Sequence, residues 1–152
     1  MPQIVPLGAK HKEERMADFT PIHGHCQCGT VHYRVTAPAS ELYHCHCSMC
    51  RRVHGTLFAT YAYVPRAALH IEKGEDNLNS FDSSEQVHRR FCKTCGCQLF
   101  IDYDGTPNQA GYTPGTADGH PGHTTEMESH IFVGSKVPWY EIENHRPQSD
   151  ED

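Results

Sequence analysis

Short runs with the periodicity of β-strands dominate the hydrophobic pattern of the chain. In the clearest run, residues 30–36, Val31, Tyr33 and Val35 alternate with polar side chains. This alternation predicts a strand with one buried and one exposed face. Further runs rich in branched and aromatic residues predict more short strands, at residues 57–64, 69–72, 78–81, 86–91, 99–103 and 130–133.

Turn-forming residues separate these runs, at Pro65, Gly74, 82–84, Gly105 and Gly134. Their spacing is typical of antiparallel sheets. No stretch has a helical stripe of three or more turns. The pattern therefore predicts a single all-β domain of mainly antiparallel short strands, whose thin core would gain stability from bound metal.

Three segments lack the pattern of a buried strand. Residues 1–20 are polar and charged, so we expect a flexible N-terminal extension, within which Met16 is an alternative start residue. Residues 105–125 are dense in Gly, Pro, Thr and His, which predicts a long surface loop. Residues 148–152 form an acidic tail. The domain itself is expected to span residues 21–147.

Charge and hydropathy narrow the classes of partner. The 152 residues carry a formal net charge of -6, which argues against a broad electrostatic surface for nucleic acid or anionic lipid. No apolar run approaches the roughly 18 residues of a membrane span, and the N-terminus lacks the pattern of a signal peptide. We therefore expect a cytoplasmic protein whose partners are small molecules; the oligomeric state is left open.

The eight cysteines are the strongest chemical signal, because they fall into three closely spaced packets. Without an export signal they are expected to stay reduced, so their clustering indicates metal rather than disulfides. The packets are Cys26-x-Cys28, Cys45-x-Cys47-x-x-Cys50 and Cys92-x-x-Cys95-Gly96-Cys97.

The first and last packets together predict a structural zinc site. A Cys-x-x-Cys-Gly turn directs both thiolates to one side, and zinc prefers four tetrahedral ligands. Cys92 and Cys95 therefore need a second pair, which Cys26 and Cys28 supply. Four thiolates close the coordination sphere and leave no place for a substrate.

The middle packet predicts a second zinc with a different role. Cys45, Cys47 and Cys50 provide three thiolates and leave one tetrahedral position open, as in catalytic sites. Alternatively, a fourth side chain closes this site too, with the candidates His44, His46, His54, Cys97 and His130. Cys97 is otherwise expected to be a free or buried thiol. The remaining histidines are expected at the solvated surface: His11, His23, His25, His70, His88, His120, His123 and His145.

Several longer motifs resemble a known family. They are Gly24-His25-Cys26-Gln27-Cys28-Gly29, Cys45-His46-Cys47-Ser48-Met49-Cys50-Arg51-Arg52, Arg89-x-Phe91-Cys92-x-x-Cys95-Gly96 and Ser135-Lys136-x-Pro138-Trp139-Tyr140. With them, the chain from Gly24 to Pro147 resembles the glutathione-dependent formaldehyde-activating enzyme (GFA) family. The resemblance implies an Mss4-like zinc fold, with a structural zinc at the outer packets and a catalytic zinc at the middle one.

The resemblance also implies a reaction. Enzymes of this family are carbon–sulfur lyases, which add glutathione or a similar thiol to formaldehyde or a related small aldehyde, or catalyse the reverse. A zinc held by three thiolates favours a soft fourth ligand, and a bound thiolate can attack an aldehyde. Glutathione has two carboxylates, so the basic side chains of the matched motifs are candidate substrate contacts: Arg51, Arg52, Arg89 and Lys136. Trp139 is a further candidate, as an aromatic side chain that would line the substrate pocket.

Two other functions remain open. One is a non-catalytic, zinc-stabilised binding module of the Mss4-like sort, in which both metals are structural. The other is a thiol-redox or metal-buffering protein, which Cys97 and the many histidines favour, although zinc takes up both Cys-x-x-Cys pairs. The fourth ligand of the second zinc distinguishes the enzyme from the binding module.

Overall fold

The structure is a computed structural model that describes residues 7–151, with side chains from residue 12 onward. The described chain contains two α-helices and eleven strands. Their bounds are α1 Leu7–Ala17, β1 Ile22–His25, β2 His32–Val35, β3 Glu41–Cys45, α2 Ser48–His54, β4 Ala59–Pro65, β5 Leu69–Lys73, β6 Leu78–Ser84, β7 Val87–Cys92, β8 Gln98–Tyr103, β9 Gln109–Tyr112, β10 Ala117–Asp118 and β11 Glu128–Ile131. Neither helix is long and apolar enough to cross a membrane.

The strands form two sheets. A four-stranded sheet has the order β10-β1-β2-β5, and a seven-stranded sheet has the order β11-β3-β4-β9-β8-β7-β6. Strand β11 runs parallel to β3, whereas every other pair of neighbouring strands is antiparallel. The prediction of a mainly antiparallel all-β domain is therefore confirmed.

Aromatic side chains form the core where the two sheets meet. Tyr33 of the small sheet packs edge-on against Phe100 of the large sheet, with ring centroids 5.2 Å apart, and Tyr112 lies 6.0 Å away. All three are fully buried. Gly24 makes this packing possible, because a Cβ at that position would lie 2.3 Å from the Tyr33 ring. The predicted alternation in β2 is confirmed, since Val31, Tyr33 and Val35 are all buried.

Each predicted strand run overlaps a strand of the structure, but the predicted loop at residues 105–125 is wrong. This segment contains β9, which lies in the middle of the large sheet between β4 and β8. In β9, a glycine is required at position 111 because side chains of neighbouring strands lie close to its backbone. A Cβ on Gly111 would lie 2.5 Å from Ile101 Cγ2. The pattern also missed β1 and β3, which are only four and five residues long.

The N-terminal segment differs from the expectation as well. Residues 7–17 form helix α1, although the sequence shows no apolar stripe there. The Arg15 guanidinium donates to the carbonyl oxygens of Ala39 at 2.8 Å and Gly122 at 2.9 Å. These contacts dock the helix end on the domain. Residues 1–6 lie outside the described residues, and the flexibility of the extension stays a prediction.

The acidic tail also makes contacts that its composition does not indicate. Its backbone runs beside β11, where Ser149 N–H donates to the carbonyl of His130 and Val133 N–H donates to that of Ser149, both at 3.0 Å. Backbone pairing requires no apolar side chains, which is why the hydrophobic pattern gives no sign of it.

Candidate functional site

The four-cysteine cluster consists of Cys26, Cys28, Cys92 and Cys95, whose sulfur atoms all lie within 4.8 Å of one another. Cys28 Sγ is 3.5 Å from Cys26 Sγ and 3.7 Å from Cys92 Sγ. Disulfide sulfurs would be about 2 Å apart, so these are free thiols. Zn–S bonds near 2.3 Å place tetrahedral sulfurs roughly 3.8 Å apart, and the cluster therefore fits zinc.

Neutral hydrogen-bond donors surround this cluster. The Asn77 amide nitrogen Nδ2 donates to Cys92 Sγ at 3.2 Å, and the Thr30 hydroxyl lies 3.2 Å from Cys28 Sγ. Hydrogen bonds from Thr30 lower the pKa of Cys28 to about 6. Such donors stabilise sulfur in the thiolate form that binds metal.

The three-cysteine cluster lies on the connection between β3 and β4. Cys45 ends β3, Cys47 is the N-cap of α2, and Cys50 follows in the first turn of that helix. Their sulfur atoms also lie within 4.8 Å of one another. The Cys47 sulfur accepts the backbone N–H of Cys50 at 3.3 Å. Gly55 ends the helix at φ 61°, a conformation that glycine adopts without strain.

None of the side chains considered as a fourth ligand joins this cluster. In the part of the chain that the structure describes, no further Cys, His, Asp or Glu atom lies within the 4.8 Å grouping. The buried rings of His46 and His130 bond to each other, Nε2 to Nδ1, at 2.8 Å. His54 Nε2 lies 2.6 Å from the Tyr61 hydroxyl. The three-cysteine cluster thus lacks a fourth protein ligand among these candidates.

His44 and Cys97, the other two candidates, are engaged elsewhere. His44 Nε2 lies 2.7 Å from a carboxylate oxygen of Glu128. Cys97 packs beside the buried core that contains Cys26 and Cys92, and burial raises the pKa of its thiol. It is therefore a half-buried free thiol near the four-cysteine cluster, as the sequence favoured.

A cavity of about 1010 Å³ opens beside the three-cysteine cluster. All three cysteines line it, and four tyrosines contribute to its walls: Tyr43, Tyr61, Tyr63 and Tyr103. Burial raises the pKa of Tyr61, Tyr63 and Tyr103, so these phenols keep their protons at neutral pH. The sequence analysis did not single out these residues; the alternation of Tyr61 and Tyr63 in β4 was the available signal.

Arg89 is the one predicted substrate contact that lines this cavity. It is 3% exposed, and three of its nitrogens contact protein groups. Nη2 lies 3.5 Å from Cys50 Sγ, Nη1 donates to the Tyr61 hydroxyl at 3.0 Å, and Nε donates to the Ser83 hydroxyl at 2.9 Å. A hydrogen bond from Cys45, aided by the Arg89 charge, outweighs burial and lowers the pKa of Cys50 to about 5.

The other predicted contacts lie outside the set of residues that line the cavity. Arg51 Nε donates to the carbonyl of His46 at 3.2 Å, and Arg52 is exposed. Lys136 Nζ donates to the carbonyl of Tyr140 at 2.8 Å. Trp139 is 73% exposed and therefore does not anchor the core. A role of these four residues in substrate binding stays a prediction.

Most histidines expected at the surface are there. His23, His25, His70, His120 and His145 are exposed. The side chain of His11 lies outside the described residues. For two histidines the prediction is wrong, because both are partly buried and form ion pairs. His88 contacts Asp82 and Asp104, and His123 contacts Glu128.

Comparisons with known proteins agree with the motifs. The model of the family described as "Glutathione-dependent formaldehyde-activating enzyme" matches residues 21–135. A Penicillium rubens protein named "Putative glutathione-dependent formaldehyde-activating enzyme" is 30% identical over 76 residues, or 50% of this chain and 40% of that protein. A Halomonas elongata protein with the same name is 26% identical, with 81% of this chain and 82% of the relative covered.

Two further comparisons extend this similarity. An uncharacterized lyase of Schizosaccharomyces pombe is 27% identical over 85 residues, which cover 56% of this chain and 60% of that protein. The matches therefore span about half the length of the fungal relatives. A crystal structure of a Rhodobacter sphaeroides protein superposes with a TM-score of 0.55 at 25% identity, over 64% of this chain and 88% of that one.

Proposed function

The chain belongs to the glutathione-dependent formaldehyde-activating enzyme family, and on that premise we propose that it is a zinc-dependent carbon–sulfur lyase. It adds glutathione or a similar thiol to formaldehyde or a related small aldehyde, or catalyses the reverse reaction. One observation carries this proposal: three cysteine sulfurs without a fourth ligand among the described residues line a cavity large enough for both reactants.

The two donor sets fit two zinc ions with different roles. Cys26, Cys28, Cys92 and Cys95 would hold a structural ion, whereas the three-cysteine cluster would hold the catalytic one. When bound there, zinc would supply Lewis acidity, which lowers the pKa of an incoming thiol and favours its thiolate form. In the overall reaction a bond forms between the thiol sulfur and the carbonyl carbon, and the thiol proton ends on the aldehyde oxygen. The product is an S-hydroxymethyl thioether.

The cavity walls would orient the aldehyde and limit water. The hydroxyls of Tyr63 and Tyr103 lie 3.3 Å apart, and both residues line the cavity. Because these phenols stay protonated, they are hydrogen-bond donors for the negative charge that develops on the aldehyde oxygen. Their rings provide an apolar surface beside the cysteines.

Charge in the cavity bears on the choice of thiol. Glu41 and Glu85 line it together with Arg89, whose three contacting nitrogens are directed at protein groups. The cavity therefore suits an ammonium group better than a carboxylate. Glutathione has one ammonium group, which would face these glutamates while its carboxylates remain near solvent.

The binding-module alternative requires that protein ligands close both metal sites. The absence of a fourth ligand among residues 12–151 favours the lyase over this alternative. The thiol-redox alternative requires a free cysteine pair, whereas seven of the cysteines lie in the two clusters.

The test is formation of the hydroxymethyl thioether from ¹³C-formaldehyde and thiol, followed by NMR on protein with two zinc ions bound. We expect a rate well above that in buffer and no acceleration by Cys47→Ser. Serine is a favoured N-cap, so this variant keeps α2 intact. Cys97→Ala is the matched control and should remain active. The lyase proposal fails if no thiol reacts faster than in buffer.

A further inference from the structure

Arg89 is a buried cation without a carboxylate partner. Within the described residues, no Asp or Glu oxygen lies at ion-pair distance from its guanidinium. Burying an unpaired charge is costly, so buried arginines are normally paired with an anion. The groups in contact are two hydroxyls and the sulfur of Cys50. Of these, only the sulfur would be an anion in the loaded cluster, because cysteine binds metal as thiolate.

The charge of a loaded three-cysteine cluster supplies the missing partner. Three thiolates and one divalent ion have a net charge of minus one, and a fourth thiolate from the substrate raises this to minus two. We propose that Arg89 is the fixed counter-charge of the three-cysteine cluster, which holds Cys50 and favours uptake of the substrate thiolate. Arg89 is thus a positioning residue that acts on sulfur, not a contact for a substrate carboxylate; the thiol part of this inference rests on the proposed function.

A chain of hydrogen bonds fixes the direction of this guanidinium. Arginine only donates, so the Tyr61 oxygen accepts from Nη1, and the same hydroxyl also bonds to Nε2 of His54, 2.6 Å away. Ser83 accepts from Nε on the other side. These contacts leave Nη2 pointing at Cys50 Sγ. Protein groups therefore use three of its five N–H donors, one on each nitrogen.

The inference makes a prediction opposite to that of a carboxylate-binding arginine. A residue that binds substrate carboxylates affects only thiols that carry them. A counter-charge to sulfur affects every thiol by the same factor. Two small probes separate these cases, because 2-mercaptoethanol is uncharged apart from its thiol and 3-mercaptopropionate adds a carboxylate.

The first experiment is calorimetric titration of zinc-loaded protein with both probes. We expect Arg89→Met to weaken both thiols by the same factor, of about 10–100-fold, as for the loss of other partners of metal ligands. Arg89→Lys keeps a positive charge and should recover part of the affinity. Arg90→Met is the matched control, because Arg90 faces away, pairing with Asp102 and lying over the Phe100 ring; it should bind both thiols normally.

The second experiment measures the metal itself, by chelator competition and by the sulfur-to-metal absorption of cobalt(II)-loaded protein. Arg89→Met should lower the affinity of one of the two metals and shift this absorption, whereas Arg90→Met should do neither. If Arg89→Met does not fold, Arg89→Gln removes the charge but keeps hydrogen-bonding groups.

The outcomes are separable. A loss confined to 3-mercaptopropionate, or an unchanged metal affinity in both neutral variants, overturns the inference about Arg89. If the wild-type protein binds neither thiol, the proposed function fails, while the metal measurements still decide whether Arg89 is a counter-charge.

Discussion

The four-cysteine cluster joins the two sheets, whereas the three-cysteine cluster lies within one of them. The four-cysteine cluster links the turn after β1 to the end of β7, and its sulfurs accept hydrogen bonds from neutral groups such as Asn77. The three-cysteine cluster lies on the connection between β3 and β4, faces a cavity and contacts the guanidinium of Arg89. The same ligand type therefore serves two purposes, which depend on what the cluster connects and on whether its surroundings are closed.

The largest expected effect comes from breaking the four-cysteine cluster. Cys28 and Cys92 are 64 residues apart in sequence, so a metal that joins them constrains a long loop and holds the two sheets together. Cys92→Ser should abolish cooperative unfolding and lose both metals. Near-ultraviolet circular dichroism and zinc counting are the measurements.

The matched change in the other cluster is Cys47→Ser. All three cysteines lie within six residues, so their metal closes only a short loop, and serine preserves the cap of α2. We expect loss of one zinc and of activity, with a melting temperature within a few degrees of wild type. Equal destabilisation by the two variants would contradict the division into structural and catalytic sites.

A smaller effect is the pH dependence of stability that comes from His54, in the surroundings of the three-cysteine cluster. Burial, together with the Arg89 charge, lowers the pKa of His54 from its usual 6.5 to about 4. The unfolded chain therefore binds a proton that the folded chain excludes. The resulting stability is complete above pH 6.5 and is lost as the pH falls towards 4. At pH 5 the loss should be on the order of 1–2 kcal/mol.

The measurement is urea unfolding of wild type and His54→Gln at pH 8 and pH 5, with zinc in excess. Glutamine can still accept the Tyr61 hydroxyl, and both proteins lose metal in acid alike, so the difference between them isolates His54. We expect the free energy of unfolding of His54→Gln, relative to that of wild type, to be higher at pH 5 than at pH 8. A difference that does not change with pH would mean that His54 titrates normally.

A smaller effect still should follow at the four-cysteine cluster from Asn77→Ala. This variant removes the donor to Cys92 Sγ and a bond of 3.0 Å to the Thr94 hydroxyl. One or two hydrogen bonds contribute about 1–2 kcal/mol. Stability in urea should fall by that amount, while thiol binding stays normal. A weakened thiol affinity would show that the two clusters are coupled.

The cysteine packets could be predicted from sequence because their spacing is local. Cys45, Cys47 and Cys50 have to lie close together in any compact fold, and Cys-x-x-Cys-Gly is a recognisable turn. The alternation of apolar and polar residues in β2 could likewise be predicted directly from the sequence. Strand β9 was missed because its Ala110 and Gly111 look like loop residues, and only contact with Ile101 explains them.

The surroundings of the candidate site depend on contacts between distant segments, which one sequence does not indicate. Arg89 and Cys50 are 39 positions apart, so the sequence predicts Arg89 as a substrate contact and gives no sign of its contact with Cys50. The tyrosines of the cavity come from β3, β4 and β8, whose neighbours in the sheet are set by topology. The helix α1 is held by Arg15 rather than by an apolar stripe.

The smallest effect is expected from Cys97→Ala, which tests whether the two clusters account for all the metal. Seven of the eight cysteines belong to a cluster, and Cys97 packs only partly against the core. Removing a half-buried sulfur should cost no more than about 1 kcal/mol. Two zinc ions should remain, and a thiol reagent should lose its single accessible target in zinc-saturated protein. Loss of a zinc in this variant would place Cys97 among the ligands, and the open position of the second cluster would then have to be reconsidered.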